Sequence, residues 1–83
     1  MLTPWWSDAA LDDLYRIRAG LDSGAAARVG RIIAEAVDAL AEFPERGRPG
    51  TAPGTRELPL PGLPWRLVHR VMEDRIRLLR LLG

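Results

Sequence analysis

The chain has no cysteine and no lysine, a single histidine, and only three tryptophans, one tyrosine and one phenylalanine among its 83 residues. Each scarcity excludes something. Without cysteine there is no disulfide and no thiolate metal site. With one histidine a zinc site needs carboxylates to complete it, and no such cluster stands out, so neither a metal nor any other cofactor is expected. There is no apolar run of roughly 18 residues, and Met1-Leu2-Thr3-Pro4 does not open like a signal peptide. The expected address is therefore the cytoplasm, with no membrane partner. The length argues for one domain, residues 1–83, which at this size buries only about 60% of its unfolded surface.

Catalytic chemistry is thinly supplied. A nucleophile needs a base within reach, and no serine or threonine is evident beside His69, the only imidazole. His69 alternates onto the face of Trp65 and Leu67, at the edge of a core. Ser7 and Ser23 fit helix caps better than nucleophiles. The glycines between Gly47 and Gly54 are interrupted by prolines and follow no strand, so they are not a phosphate-cradling loop.

What is present is arginine, unevenly spread. Through Glu45 there are eight acids against four arginines, a balance of −4; from Arg46 onward there are eight arginines against three acids, a balance of +5. Such asymmetry points to a basic face used on a partner. Arginine suits bidentate grip on phosphate or carboxylate, although codon bias in a GC-rich genome accounts equally well for the missing lysines.

Hydrophobic periodicity organises the chain into helices first and strands after. Leu2 to Trp6 reads as a short strand, kept to an edge by Pro4. Ser7 reads as an N-cap, with Asp8 and the Asp12-Asp13 pair near the positive end of a helix. Ala10, Leu14, Ile17 and Leu21 form its stripe, widened by Leu11. A second helix carries Val29, Ile33, Ala36, Leu40 and Phe43, flanked by Ile32 and Val37, and stops at Pro44. The short link at Asp22-Ser23-Gly24 makes the pair an antiparallel hairpin. Pro44 to Gly54 is a loop.

Three strands follow. Leu58-Pro59-Leu60 is demoted to an edge by Pro59. In the next, Trp65, Leu67, His69 and Val71 alternate with Arg66, Val68 and Arg70. In the last, Ile76, Leu78, Arg80 and Leu82 alternate with Arg75, Arg77, Leu79 and Leu81, so neither face is cleanly polar. A strand apolar on both sides implies helices on one face of the sheet and a partner on the other. Arg56, Arg66, Arg70, Arg75, Arg77 and Arg80, with Trp65 and His69, are the candidate partner-binding residues. They suit a phosphate backbone or an acidic protein segment. The plainer alternative is that these arginines pair with Glu57, Glu73 and Asp74.

Taken in order, the helical hairpin, Pro44-Glu45-Arg46-Gly47-Arg48, Gly54-Thr55-Arg56-Glu57-Leu58, Trp65-Arg66-Leu67-Val68-His69-Arg70-Val71 and Asp74-Arg75-Ile76-Arg77-Leu78-Leu79-Arg80 resemble the ParE/RelE superfamily of type II toxins, on the ParE branch. The resemblance covers nearly the whole chain. It implies an α+β fold, an N-terminal antiparallel helical hairpin packed on a small antiparallel β-sheet. It also implies a cognate antitoxin, ParD-like with a ribbon-helix-helix DNA-binding domain, so that operator DNA is met only through the antitoxin. DNA gyrase is the implied target of the ParE branch. RelE-like cleavage of mRNA on the ribosome leans on lysine, arginine and often a tyrosine or histidine near the C-terminus. Here lysine is absent, the only tyrosine is Tyr15 and the sequence ends at Gly83. A gyrase-binding toxin is thus expected over a nuclease, with no catalytic residues. A nuclease would use Arg56, Arg80 and His69. The short C-terminus suggests a third reading, a non-toxic antitoxin-binding module that tunes transcription of its operon.

Overall fold

Two local signals at the start of the chain decide how it enters the fold. Pro4 lacks an amide hydrogen and tolerates only an edge strand. Ser7 holds an extended backbone and accepts a hydrogen bond from the Ala10 amide at 3.0 Å, capping the helix that follows. In the computed structural model, which describes residues 2–83, these signals give an edge strand β1 (Thr3–Trp6) leading directly into α1 (Asp8–Ala19). Asp22, rather than Ser23, caps α2 (Ser23–Glu42), accepting from the Ala25 amide at 2.8 Å. Pro44 disfavours helical backbone in the residue before it, and α2 accordingly ends with Phe43 at φ −126° and ψ 74°.

The remaining strands are β2 (Arg48–Pro49), β3 (Arg56–Pro59), β4 (Arg66–Val71) and β5 (Arg75–Leu82). They form one five-stranded sheet in the order β1-β5-β4-β3-β2. Strands β2 to β5 run as an antiparallel meander, whereas β1 lies parallel to β5, with Trp5 opposite Arg77 and Trp6 opposite Leu78. The sheet is therefore mixed, not wholly antiparallel as expected. The helical hairpin intervenes between β1 and the meander, so the chain can return beside its first strand in the same direction. The expected loop from Pro44 to Gly54 also contains the two-residue strand β2.

One irregularity reassigns half of β5. Val68 of β4 pairs with Arg80, but the next residue, His69, pairs with Leu78, leaving Leu79 as an extra residue. A bulge of this kind shifts the alternation by one. Ile76, Leu78 and then Leu81 are buried, whereas simple alternation places Arg80 and Leu82 in that row. The apparent two-sidedness of the last strand is thus largely a change of phase. The core joins these residues to Leu67 and Leu60 of the sheet side and to Val29, Ile33, Val37 and Leu40 of α2. Trp6, Leu14, Ile17 and Leu21 pack at its border. Phe43, expected in the α2 stripe, is exposed beyond the helix end.

Candidate functional site: an arginine face and a helical groove

Residues paired across neighbouring strands share a face, so the register sorts the candidate residues into two groups. Opposite one another on the outer face, away from the helices, lie Arg66 with Leu82, Val68 with Glu57, and Arg70 with Arg77; Trp5 lies opposite Arg77 on the other side. Arg75 shares this face and stacks its guanidinium 4.6 Å from the ring centroid of Trp5, which is 55% exposed. Arg66, Arg70, Arg75 and Arg77 are therefore assembled on one surface.

The other four candidates are placed differently, Arg80 by its side-chain partner and not by its register, which sets it opposite Val68. Arg56 is opposite His69, on the helix side of the sheet, and donates to the main-chain oxygens of Gly47 at 2.7 Å and Arg46 at 3.4 Å. It ties down the loop after α2. Trp65 is half-buried against the core. His69 is fully buried at 0% exposure and is not available for direct contact with a partner. Burial pushes its pKa down, only partly offset by the Leu67 and Pro44 carbonyls, and neither ring nitrogen makes a well-formed hydrogen bond among the described residues. The alternation that put His69 beside Leu67 already pointed inward.

Arg80 has a structural assignment that sequence reasoning missed. Strand β1 ends at Trp6, so the edge of β5 beyond it has no strand partner. Helix α1 closes that edge instead. Ser7 donates its amide to the Leu78 carbonyl and its hydroxyl to the Leu79 carbonyl, each at 3.0 Å. Asp13 then accepts the Leu81 amide at 2.9 Å and two bonds from Arg80, from Nε at 2.7 Å and Nη2 at 3.0 Å. Arg16 adds a fourth donor at 3.0 Å. These donors, the Arg80 side chain foremost, hold the Asp13 carboxyl at about 2. A buried aspartate in an amphipathic helix was the available signal, but sequence alone places Asp13 equally well at the charged start of the helix.

The remaining arginines divide by whether an acid meets them. Arg66 pairs with Glu57 at 2.7 Å and also donates to the Gly83 oxygen at 2.7 Å; its hydrogen bond lowers the Glu57 pKa. Arg75 binds both oxygens of Asp74, at 3.1 and 3.2 Å. The plainer expectation thus holds for Glu57 and Asp74. It does not hold for Arg70 and Arg77, which oppose each other across β4 and β5 with no acid within ion-pair distance among the described residues. Arg70 reaches only the Pro53 carbonyl, at 3.4 Å. Its guanidinium lies against Gly54, whose φ is +79° and where an added Cβ would stand 2.6 Å from Arg70 Nη1. The positive φ favours glycine there, and a side chain would in addition have to move the Arg70 guanidinium aside.

The helix side carries a second surface feature. Leu11, Leu14, Tyr15, Ala19 and Ala26 line a groove of about 470 Å³ between α1 and α2. A neighbouring groove of about 310 Å³ shares Leu11 and Leu14 and extends to Ile33 and Val37. Leu11 is 47% and Tyr15 73% exposed. The excess width of the α1 stripe, where Leu11 and Tyr15 stand four residues apart beside it, was the sequence signal for this groove. Among the described residues no group of three or more metal-ligating side chains occurs, and no helix is long and apolar enough to cross a membrane.

Two helices packed on a five-stranded mixed sheet form a fold shared with solved toxin structures. The fold matches a chain of the chromosomal ParDE toxin–antitoxin system of P. aeruginosa with a TM-score of 0.87, at 28% identity over 99% of this chain and 95% of that one. It also matches a chain of the E. coli RelBE toxin–antitoxin complex (TM-score 0.67, 15% identity, 100% and 96% covered). A third match is HP0894 of Helicobacter pylori (TM-score 0.60, 23% identity, 99% and 93% covered). The "Putative toxin Y4kP" of Sinorhizobium fredii is 46% identical over 72 residues, 83% of this chain and 75% of that protein. Residues 5–83 match the family model for the ParE toxin of the type II toxin–antitoxin system parDE. The chain belongs to the ParE toxin family.

Proposed function

We propose that this ParE-family toxin acts in the cytoplasm by inhibiting DNA gyrase, and that a ParD-like antitoxin neutralises it. The observation that carries the reading is the Arg70–Arg77 pair. Like charges directly opposite in a sheet oppose folding, so two arginines placed opposite each other in register without an acid are better explained by an external anionic partner than by stability. The same face supplies charge but little means of moving a proton. Arginine does not deprotonate in proteins, Glu57 is held ionised by Arg66, and His69 is buried. This favours a toxin that binds its target over one that cleaves RNA. The antitoxin is expected to bring an acidic, amphipathic segment that orders as it binds. Its apolar side chains fit the groove beside Leu11 and Tyr15, a helix-in-groove arrangement.

A supercoiling assay with purified gyrase and folded toxin tests the reading. Inhibition accompanied by trapped, cleaved DNA is expected. No effect from protein shown to be folded by circular dichroism rejects gyrase as the target. For the antitoxin, calorimetry with the C-terminal segment of the adjacent gene's product should give submicromolar binding; binding of micromolar strength or weaker rejects that partner.

A further inference from the structure

The row running across the sheet from β1 contains the Arg70–Arg77 pair on which the gyrase reading rests, and adds to it an exposed indole that the gyrase reading does not use. Trp5, Arg77 and Arg70 stand opposite one another on three successive strands, β1, β5 and β4, with Arg75 stacked on Trp5. An exposed indole therefore carries the Arg75 guanidinium on its ring and stands in register with Arg77, with Arg70 one strand further on; the last two have no acid among the described residues. We propose that this row binds a nucleic-acid strand, its phosphodiester groups on Arg70 and Arg77 and a base on the Trp5–Arg75 stack.

Three observations favour this occupant over an acidic peptide. Arg70 and Arg77 lie on adjacent strands of the outer face without an acid, the Arg70 guanidinium leaning toward Pro53 and Gly54, and successive phosphodiesters of one strand can meet two such separated guanidiniums. Trp5, half-exposed on an edge strand, contributes no core packing and offers a flat π-surface; base stacking on such a ring is indifferent to sequence. The apolar grooves that would seat a peptide's anchoring side chains lie elsewhere, along the two helices. Gly54 acts as a positioning residue, since any side chain there displaces the Arg70 guanidinium.

The proposal stands independently of gyrase, because it is read with nucleic acid and toxin alone. Fluorescence anisotropy of labelled 12-nucleotide single-stranded DNA, the matching RNA and the duplex, at 50 to 200 mM NaCl, is the experiment. Binding of at least one of the two single strands at about 1–100 µM in low salt, tighter than that of the duplex, is expected. For a single strand, the Arg70→Ala/Arg77→Ala double variant should reduce the slope of log affinity against log salt by about 1.4. Trp5→Ala should weaken strand binding roughly 5- to 100-fold. The charge-matched control Arg28→Ala/Arg31→Ala, on the exposed side of α2, should leave the slope of the Arg70/Arg77 site in place. Failure of both single strands at 50 mM NaCl, or binding of the duplex alone, overturns the proposal. So does a folded double variant with an unchanged slope, or tighter binding of poly-glutamate than of any oligonucleotide in the same buffer.

Discussion

The two sides of this sheet treat charge in opposite ways. At the helix side, the carboxylate of Asp13 is buried and takes four donors, from Arg16, Arg80 and the Leu81 amide. Around it the interior is aliphatic, from Val29 and Ile33 to Leu78 and Leu81. On the outer face, Arg70 and Arg77 oppose each other with no acid, a few residues from arginines that do have one. The helix side is organised to hold the fold. The outer face retains a repulsion that folding does not need, and such a local conflict is expected where a surface serves a partner.

The sharpest separation of the two sides is a truncation in the core. Leu40 is fully buried against the sheet, so Leu40→Ala should cost ~2–5 kcal/mol, the lost transfer energy plus the cavity left behind. Urea unfolding measures it. An unchanged midpoint would mean that α2 does not pack on the sheet as described.

Asp13→Asn comes next. It removes the charge that compensates Arg80 and weakens the acceptor for the Leu81 amide. Breaking such a buried pair on one side should cost about 2–3 kcal/mol. Arg80→Ala should be destabilising for the same reason, so a double change of Arg77 and Arg80 is not a clean test of partner binding. The sequence expectation had grouped those two arginines. If Arg80→Ala proved neutral in thermal unfolding, the closure of the β5 edge by α1 would have to be abandoned.

That grouping shows where the sequence was legible and where it was not. The helical stripes from Ala10 to Leu21 and from Val29 to Leu40 gave the hairpin directly, and Ser7 and Pro44 marked two of its ends. These are local signals, each decided within a few residues. The parallel pairing of β1 with β5 was invisible, because it joins residues some seventy positions apart. The bulge at Leu79 carries no composition cue, yet it turns Leu81 inward and leaves Arg80 to Asp13. Sequence alternation read Arg80 and Leu82 as a continuation of the core row. The candidate site was legible as a surplus of arginine. Which members were spent on Glu57, Asp74 and Asp13, and which were left over, depended on the register.

Acid titration probes the helix side again, with a smaller effect. His69 has its folded pKa lowered by burial, so the unfolded chain binds the extra proton more readily. Above the unfolded value of about 6.5 the histidine adds no pH dependence; as pH falls below it, stability should decline by at most about 1.4 kcal/mol per unit. Asp13, held at about 2 against an ordinary 3.8, contributes stability that is complete above the ordinary value. That contribution, on the order of 1–2 kcal/mol, is lost as pH drops from there toward 2. Unfolding midpoints between pH 7.5 and 5, compared with those of His69→Gln, isolate the histidine. A wild-type midpoint that stays flat to pH 5 would contradict its neutral burial.

The smallest expected effect is the most discriminating, because it has the opposite sign. Arg77→Thr removes one member of the unpaired arginine couple while keeping a residue that favours strands. Relief of the cross-strand repulsion should raise stability by ~0.2–1 kcal/mol, a gain of roughly 1–8 °C in Tm for a domain of this size. The gain should shrink in 1 M NaCl, where exposed charges are screened within about 3 Å. Arg66→Thr on the same face should do the reverse, since it strands Glu57, which is nearly buried. Thermal melts of the two variants at low and high salt make the comparison. If Arg77→Thr lowers Tm as Arg66→Thr does, the outer face is held together by its arginines like any other surface, and the argument that it is kept for an anionic partner loses its physical basis.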